Sequence, residues 1–192
     1  GLKDEIHQGI TIDVAHRYFS TKKRKFIVSD SPGHTQYTRN MITGSSLSNL
    51  MIVLVDVNNG ITDQTKRHLF ISSLLHIDHI VICVNKMDIV NYNKDKYEQI
   101  KNELEKFISK LNLKDVNYIP ISALNGENIT KSSSKMDWYD GPTLMFQIEN
   151  IHISSDHNKI QSRFFVQNIV RTKNNASRSV SYTHLRAHET DR

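Results

Sequence analysis

Cysteine is almost absent from this chain of 192 residues, which contains only Cys83. A single cysteine excludes an internal disulfide framework, and we therefore expect a reducing, cytoplasmic compartment. Cys83 lies inside the apolar run Ile80-Val81-Ile82-Cys83-Val84. A cysteine in such a run is typical of a small core residue, so we interpret Cys83 as structural and not as a nucleophile.

Long apolar runs are also absent, because none approaches the ~20 residues of a membrane-spanning helix. The first five residues carry charges with no apolar segment behind them, which is not the pattern of a signal peptide. Hydrophobic residues make up 38% and charged residues 23% of the chain, a balance typical of a globular domain. We therefore expect no membrane partner.

Positive charge is in excess, with a formal net charge of +5, but it is not arranged like a nucleic-acid-binding surface. The densest basic run is Lys22-Lys23-Arg24-Lys25, between two strand-like stretches. No aromatic residues are interleaved with these cations. We interpret the run as a solvated hairpin turn and expect no nucleic-acid partner.

Strand-like stretches alternate with amphipathic ones along most of the chain. The predicted strands span residues 14–20, 26–28, 50–55, 80–84 and 116–121, and the predicted helices span residues 35–48, 62–76, 95–111 and 142–149. The first two strands are close enough to form an antiparallel hairpin. The later alternation is typical of a mostly parallel sheet with helices on both faces, and so of an α/β fold. The polar loop 125–135 carries no recognisable site.

The pattern changes after residue 150, where strand-like segments follow one another with no helix between them. We interpret residues 1–154 as one α/β domain and residues 155–179 as the beginning of a second, β-barrel domain. Residues 180–192 resemble a translated reading frame of a transposase-type sequencing adapter. We therefore expect this tail to be non-native and leave it out of the fold prediction.

A polar tetrapeptide, Asn85-Lys86-Met87-Asp88, follows the apolar run 80–84. Open α/β sheets bind ligands at the carboxyl ends of their strands. A carboxylate only accepts hydrogen bonds, so Asp88 can take both N–H donors on the Watson–Crick edge of guanine, a pair that adenine lacks. Lys86 can lie along the purine face, and Asn85 can connect neighbouring loops. The alternative interpretation is an ordinary strand-end turn, since Asn and Asp are common turn residues.

A second polar loop, Asp30-Ser31-Pro32-Gly33-His34, follows strand 26–28. Asp30 is a candidate Mg²⁺ ligand, typically through water, because this hard cation prefers oxygen ligands. Gly33 lets its backbone N–H approach a γ-phosphate closely. His34 then stands where it can orient an attacking water for phosphoryl transfer. The alternative role for His34 is that of a capping or loop histidine.

Two further segments are compatible with nucleotide binding. The hydroxyl of Thr11 is a candidate direct Mg²⁺ ligand, in a loop that loss of the γ-phosphate would release; the alternative is an ordinary strand residue. Backbone N–H groups of Ser122-Ala123-Leu124 can support the edge of the base. Each segment is weak alone, but the spaced combination of GITID, DSPGH, NKMD and SAL predicts a guanine-nucleotide site.

These motifs resemble those of translation-factor-type GTPases and, more narrowly, those of the GTPase (large) subunits of sulfate adenylyltransferase. The resemblance covers residues 4–171 and rests on several segments. They are QGITIDVA, RYFST, DSPGHTQYTRNM, DQTKRH, WYDGPTL and RFFVQ.

The resemblance implies a P-loop GTPase domain that binds GTP and Mg²⁺. The implied residues are Thr11 and Asp30 for the metal, Asp30, Ser31, Pro32, Gly33 and His34 for the γ-phosphate, with His34 also catalytic, and Asn85, Lys86, Met87, Asp88, Ser122, Ala123 and Leu124 for guanine. It also implies a function in sulfate assimilation, in which GTP hydrolysis drives formation of adenosine 5′-phosphosulfate and pyrophosphate from ATP and sulfate. Adenylyl transfer would belong to a separate small subunit, so the expected assembly is a heterodimer.

One departure from this family is the lack of its Gly-x-x-x-x-Gly-Lys-Ser/Thr phosphate loop, and of the first strand, before Thr11. We therefore expect a truncated domain that binds GTP poorly, and a non-functional gene fragment is one alternative. The other alternative is an elongation factor of the Tu or 1-alpha type, a GTPase that delivers aminoacyl-tRNA. The segments RYFST and YTRN favour sulfate adenylyltransferase over an elongation factor.

Overall fold

The computed structural model describes residues 14–31, 38–46 and 48–153 of the chain. Its elements, in chain order, are strands β1 (Ala15–Ser20) and β2 (Lys25–Asp30), helix α1 (Thr38–Ser45), strand β3 (Leu50–Asp56), helix α2 (Asp63–Leu74), strand β4 (His79–Asn85), a 3₁₀ turn (Met87–Val90), helix α3 (Lys94–Ile108), strand β5 (Asp115–Pro120) and helix α4 (Leu144–Asn150). No helix in these ranges is long and apolar enough to cross a membrane. Thr11, Pro32, Gly33, His34, the predicted second domain and the tail lie outside the described residues.

The first two strands form the antiparallel hairpin that the sequence predicts. Their register places Phe19 opposite Phe26, and the two rings stack with centroids 4.7 Å apart. The Thr21 N–H closes the turn by donating to the carbonyl of Arg24 at 2.9 Å. Cross-strand aromatic pairs stabilise antiparallel strands, so the stack helps to hold this register.

A three-stranded parallel sheet with the order β3-β4-β5 carries two of the predicted nucleotide motifs, NKMD and SAL. Its central strand β4 is buried on both faces, and residues 80–84 are each 0% exposed. This burial confirms the strand predicted for residues 80–84. A strand covered on both faces needs apolar side chains at every position, and the unbroken run supplies them. Within the described residues, the hairpin forms a sheet of its own and does not hydrogen-bond to the parallel sheet.

Helix α3 is the amphipathic helix predicted for residues 95–111. Its buried face consists of Tyr97, Ile100, Leu104 and Ile108, which recur at steps of three and four residues. These side chains join the apolar residues of β3 and β4 in one core cluster. Asn93 caps the helix, since its side-chain oxygen accepts a hydrogen bond from the Lys96 N–H at 3.0 Å.

Helix α2 faces the core only in part with the residues that its apolar content suggests. The sequence predicts Leu69, Phe70, Leu74 and Leu75 on the inner side. Leu69 is buried and Leu75 packs against the core, but Phe70 and Leu74 are 50% and 61% exposed. Thr65, Leu69 and Ser72 are all buried. Because these three are four and three residues apart, they lie on one side of the helix, and Phe70 and Leu74 are displaced from that side.

Helix α4 begins two residues later than predicted, at Leu144 and not at Pro142. Thr143 is its N-cap, and its hydroxyl accepts a hydrogen bond from the Phe146 N–H at 3.3 Å. A threonine side chain can accept from the free N–H groups of a helix end and proline cannot, so the cap decides where this helix starts.

Candidate functional site

The carboxyl ends of the three parallel strands meet at one edge of the sheet. Asp56 at the end of β3 lies opposite Asn85 at the end of β4, and Val84 lies opposite Pro120 on β5. The segments 85–88 and 121–124 therefore leave the sheet side by side. The structure thus brings together two motifs that the sequence places more than 30 residues apart.

Asn85 connects these two segments, as the sequence predicts. Its side-chain oxygen accepts a hydrogen bond from the N–H of Lys86 at 2.7 Å. The same oxygen accepts one from the N–H of Ala123 at 3.0 Å. One amide oxygen therefore holds the start of both loops.

Met87 anchors the tetrapeptide in the core. Its side chain is fully buried, and its N–H donates to the carbonyl of Ile121 at 3.2 Å. Lys86, just before it, has a positive φ of 66°. Such a backbone conformation is uncommon outside glycine, and the two bonds at Asn85 and Met87 hold Lys86 in it. The turn is therefore fixed from both sides.

The Lys86 side chain pairs with a residue that the sequence-based interpretation missed. Its Nζ lies 2.7 Å from Oδ2 of Asp56. This hydrogen bond is the main reason that the pKa of Asp56 lies below its ordinary value; burial opposes the shift, and the N–H of Asn58 reinforces it. In the sequence Asp56 directly follows an apolar run, as Asn85 does, and that position was a usable signal.

Asp88 is oriented by Ser122. The Ser122 hydroxyl donates to Oδ1 of Asp88 at 2.6 Å, and it accepts a hydrogen bond from the Asn125 N–H at 3.3 Å. A hydroxyl that both donates and accepts has little freedom to turn away. The carboxylate is therefore held by one oxygen, at a half-buried position.

The groups at this edge are chemically compatible with guanine. Within the described residues, Asp88 accepts one side-chain hydrogen bond, at Oδ1, which leaves Oδ2 and the second lone pair of Oδ1 as acceptors for the donor pair of the base. The Ala123 N–H is already used by Asn85. The Leu124 N–H has no partner in the described part of the chain. The free lone pairs of the carboxylate match the donor pair of guanine, and a backbone donor matches its carbonyl oxygen.

The predicted metal and phosphate residues are only partly described. Asp30 is an exposed residue at the end of β2. Ser31 lies against helix α1, because a Cβ added at Gly44 would be 2.6 Å from its hydroxyl. Among the described residues, no group of three or more His, Cys, Asp or Glu could hold a metal ion. The metal site and the γ-phosphate site therefore stay predictions.

Cys83 is the core residue that the sequence predicts. It is fully buried in the middle of β4, and burial raises the pKa of its thiol to about 12. Since a thiolate is the nucleophilic form, this cysteine is unsuited to react at neutral pH.

The segment around Trp138 and Tyr139 packs against α3 and not against the nucleotide motifs. Both rings contact the ring of Tyr97, and the hydroxyls of Tyr97 and Tyr139 donate to the carbonyl of Tyr118 at 3.1 and 3.2 Å. A pocket lined by these aromatic residues contains none of residues 85–88 or 121–124. We therefore assign this segment a structural role.

Known protein sequences match most of this chain. Residues 1–171 match the family described as "Elongation factor Tu GTP binding domain". Over 171 residues the chain is 53% identical to "Sulfate adenylyltransferase subunit 1" of Bacteroides thetaiotaomicron, covering 89% of this chain and 35% of that protein. It is 50% identical over 171 residues to "Bifunctional enzyme CysN/CysC" of Mycobacterium tuberculosis, covering 89% of this chain and 28% of that protein. The chain thus spans about a third of the length of these curated relatives.

Solved structures give the same fold at lower identity. A crystal structure of the bacterial selenocysteine-specific elongation factor EF-Sec matches with a TM-score of 0.61 and 26% identity, over 79% of this chain and 24% of that chain. A structure of sup35 complexed with GMPPNP matches with a TM-score of 0.58 and 25% identity, over 71% of this chain and 34% of that chain. These similarities confirm the predicted α/β GTPase fold.

Proposed function

Because the chain belongs to the family of elongation factor Tu GTP-binding domains, we propose that it is the GTPase portion of a sulfate adenylyltransferase. In this proposal, GTP hydrolysis drives formation of adenosine 5′-phosphosulfate and pyrophosphate from ATP and sulfate. The observation that carries the proposal is the 53% identity over 171 residues to a sulfate adenylyltransferase subunit 1, against 26% to the elongation factor EF-Sec.

Base recognition is the step that the described residues support best. Asp88 would accept the two N–H donors of guanine through Oδ2 and the lone pair of Oδ1 that Ser122 leaves free. Asn85 would keep the two loops together, and Lys86 would lie along the purine face. The low-lying pKa of Asp56 keeps its carboxylate charged beside Lys86, so the lysine ammonium is held near the end of β3.

The phosphate chemistry is proposed for residues near β2 and before β1. Thr11 and Asp30 would hold Mg²⁺, which neutralises charge on the phosphates when bound. Ser31, Pro32, Gly33 and His34 would face the γ-phosphate, with His34 orienting the attacking water. The position of Asp30 at the end of β2 supports this assignment.

The proposed partner is the small, adenylylating subunit of the same enzyme. The gene for that subunit is expected beside the gene for this chain, whereas ribosomal genes as neighbours would contradict the proposal and favour an elongation factor. The biochemical test is to combine the protein that contains this chain with the small subunit and ATP and sulfate. Formation of adenosine 5′-phosphosulfate should depend on GTP; formation that is indifferent to GTP contradicts the proposal.

Replacing Asp88 with asparagine tests the base site. Asp88→Asn should weaken GTP binding by roughly tenfold or more and favour xanthosine triphosphate, because the amide offers a donor where guanine presents its own donors. Titration of each nucleotide measures the change. Asp95→Asn, which alters an exposed carboxylate in the first turn of α3, is the matched control and should change neither affinity. An unchanged nucleotide preference in Asp88→Asn would remove Asp88 from the base site.

A further inference from the structure

Asn128 is a buried polar residue that the proposed function does not use. It lies in the loop after β5, is 2% exposed and has a positive φ of 57°. Asparagine is among the few residues that adopt this left-handed conformation readily. A buried amide must satisfy both its donor and its acceptor, so its partners show what the residue does.

Both ends of the Asn128 side chain are hydrogen-bonded. Its NH₂ group donates to the carbonyl of Pro120 at 3.0 Å, and its oxygen accepts a hydrogen bond from the Ser133 N–H at 2.8 Å. Its backbone carbonyl accepts one from the N–H of Leu144, the first residue of α4, at 2.9 Å. Asn128 therefore joins the end of β5, the following loop and the start of α4.

The contact at Pro120 leads directly to the base motif. The next residue, Ile121, accepts a hydrogen bond from the N–H of Met87 at 3.2 Å. Ser122 then exchanges two backbone hydrogen bonds with Glu127, the neighbour of Asn128, at 3.2 and 3.1 Å. The side chain of Ser122 holds Asp88 at 2.6 Å. A displacement of residues 120–122 would therefore also move Asp88.

From this chain of contacts, we propose that Asn128 is a positioning residue for guanine recognition, which acts by fixing the end of β5 so that Ser122 holds Asp88 in place. The proposal rests on the guanine-binding function proposed above. Asn128 does not touch the base in this scheme. Its effect is on the precision with which Asp88 meets the amino group and the N1–H of guanine.

The test compares guanosine, inosine and adenosine monophosphates as ligands of the 192-residue chain. They carry no β- or γ-phosphate, so their affinities depend mainly on the base site. Inosine monophosphate lacks the amino group that Asp88 would bind, and the ratio of guanosine to inosine affinity therefore reports the placement of Asp88. Titrations followed by NMR of the backbone amides measure millimolar affinities.

The main variant is Asn128→Gly, which keeps the positive φ accessible and removes both side-chain hydrogen bonds. We expect the guanosine-over-inosine preference to fall roughly tenfold, the size of one lost buried hydrogen bond. Asn128→Asp is the second variant in case the first does not fold, because it keeps the shape and replaces only the NH₂ donor toward Pro120. Ser134→Ala is the matched control, since it changes an exposed serine of the same loop and leaves the Ser133 N–H that Asn128 uses.

Each outcome has a defined meaning. A preference lost in Asn128→Gly and kept in Ser134→Ala supports the proposal. Equal losses of guanosine and inosine affinity, with the ratio unchanged, mean that Asn128 only stabilises the fold, and the proposal is then overturned while the proposed function stands. If the unaltered chain does not prefer guanosine to adenosine monophosphate, the proposed function fails and this inference fails with it.

Discussion

At the end of β4, neighbouring residues have opposite surroundings. Met87 is fully buried, while Lys86 is exposed and Asp88 half-buried. The sequence predicts the four residues as one binding motif. The structure gives each a different role: Asn85 connects the two loops, Lys86 pairs with Asp56, Met87 anchors the turn in the core and Asp88 is held by Ser122. A tight turn cannot point consecutive side chains in one direction.

The half-buried histidine of α2, His68, should make stability depend on pH. Burial, reinforced by the charge of Arg67, lowers the pKa of His68 below its ordinary value of 6.5. The folded state therefore favours the neutral imidazole, and the unfolded state takes up a proton first as the pH falls. This contribution to stability is complete above the ordinary pKa and is lost as the pH falls below it.

The melting temperature measured at about pH 7.5 and at about pH 5.5 checks this expectation. The unaltered chain should lose more stability on acidification than the His68→Gln variant, which has no proton to take up at this position. His152→Gln replaces an exposed histidine and serves as the control. Equal losses in the unaltered chain and His68→Gln would contradict the prediction.

At the scale of elements, the hairpin turn and helix α4 are joined by contacts that the sequence does not indicate. The basic turn is interpreted from the sequence as solvated. Its three lysines are exposed, as predicted, but Arg24 is half-buried. The guanidinium of Arg24 donates to the carbonyls of Ile148 and Ile151 at 3.2 and 2.9 Å. Lys23 donates to the side chain of Asn150 at 3.2 Å. Cations at a helix C-terminus satisfy its free carbonyls and interact favourably with its dipole.

Removing this contact should destabilise the domain. Arg24→Ala is expected to lower the free energy of unfolding by about 1–2 kcal/mol, because two hydrogen bonds from a charged group to helix-end carbonyls are lost. Urea denaturation measures the change. Lys22→Ala, in the same turn, should stay within about 0.5 kcal/mol of the unaltered chain. A similar small effect for Arg24→Ala would show that the contact adds no stability.

At the scale of the whole molecule, β3 is an edge strand with apolar residues on an open face. Its Ile52 and Leu54 are 41% and 62% exposed, and within the described residues β3 pairs only with β4. An exposed apolar edge strand offers unpaired backbone groups to other chains. We therefore expect the 192-residue chain to self-associate through this edge.

A charged residue at the edge should reduce this association. Leu54→Lys is expected to shift the sedimentation profile toward monomer, because a lysine resists edge-to-edge pairing. Leu74→Lys changes a leucine of nearly equal exposure, 61%, on helix α2 and is the matched control. If both variants associate like the unaltered chain, the open edge of β3 is not the contact surface.

The sequence by itself determined the features that depend on local chemistry. An unbroken apolar run predicted β4, steps of three and four residues predicted α3, and the acceptor-only carboxylate of Asp88 indicated guanine. These predictions need no knowledge of distant residues, because strand burial, helix periodicity and side-chain donors are properties of a short segment.

The tertiary structure alone decided which distant residues support these features. Lys86 pairs with Asp56 across 30 residues, and Arg24 reaches α4 across 124 residues. Asn128 holds the end of β5 from a loop in which the sequence shows no recognisable site. Each contact depends on strand register and helix packing, which bring together groups that have no shared pattern in the sequence. Nothing in the sequence shows that the amide of Asn128 is buried or that Arg24 caps the C-terminal end of α4. Both features require knowledge of burial and of hydrogen-bond partners.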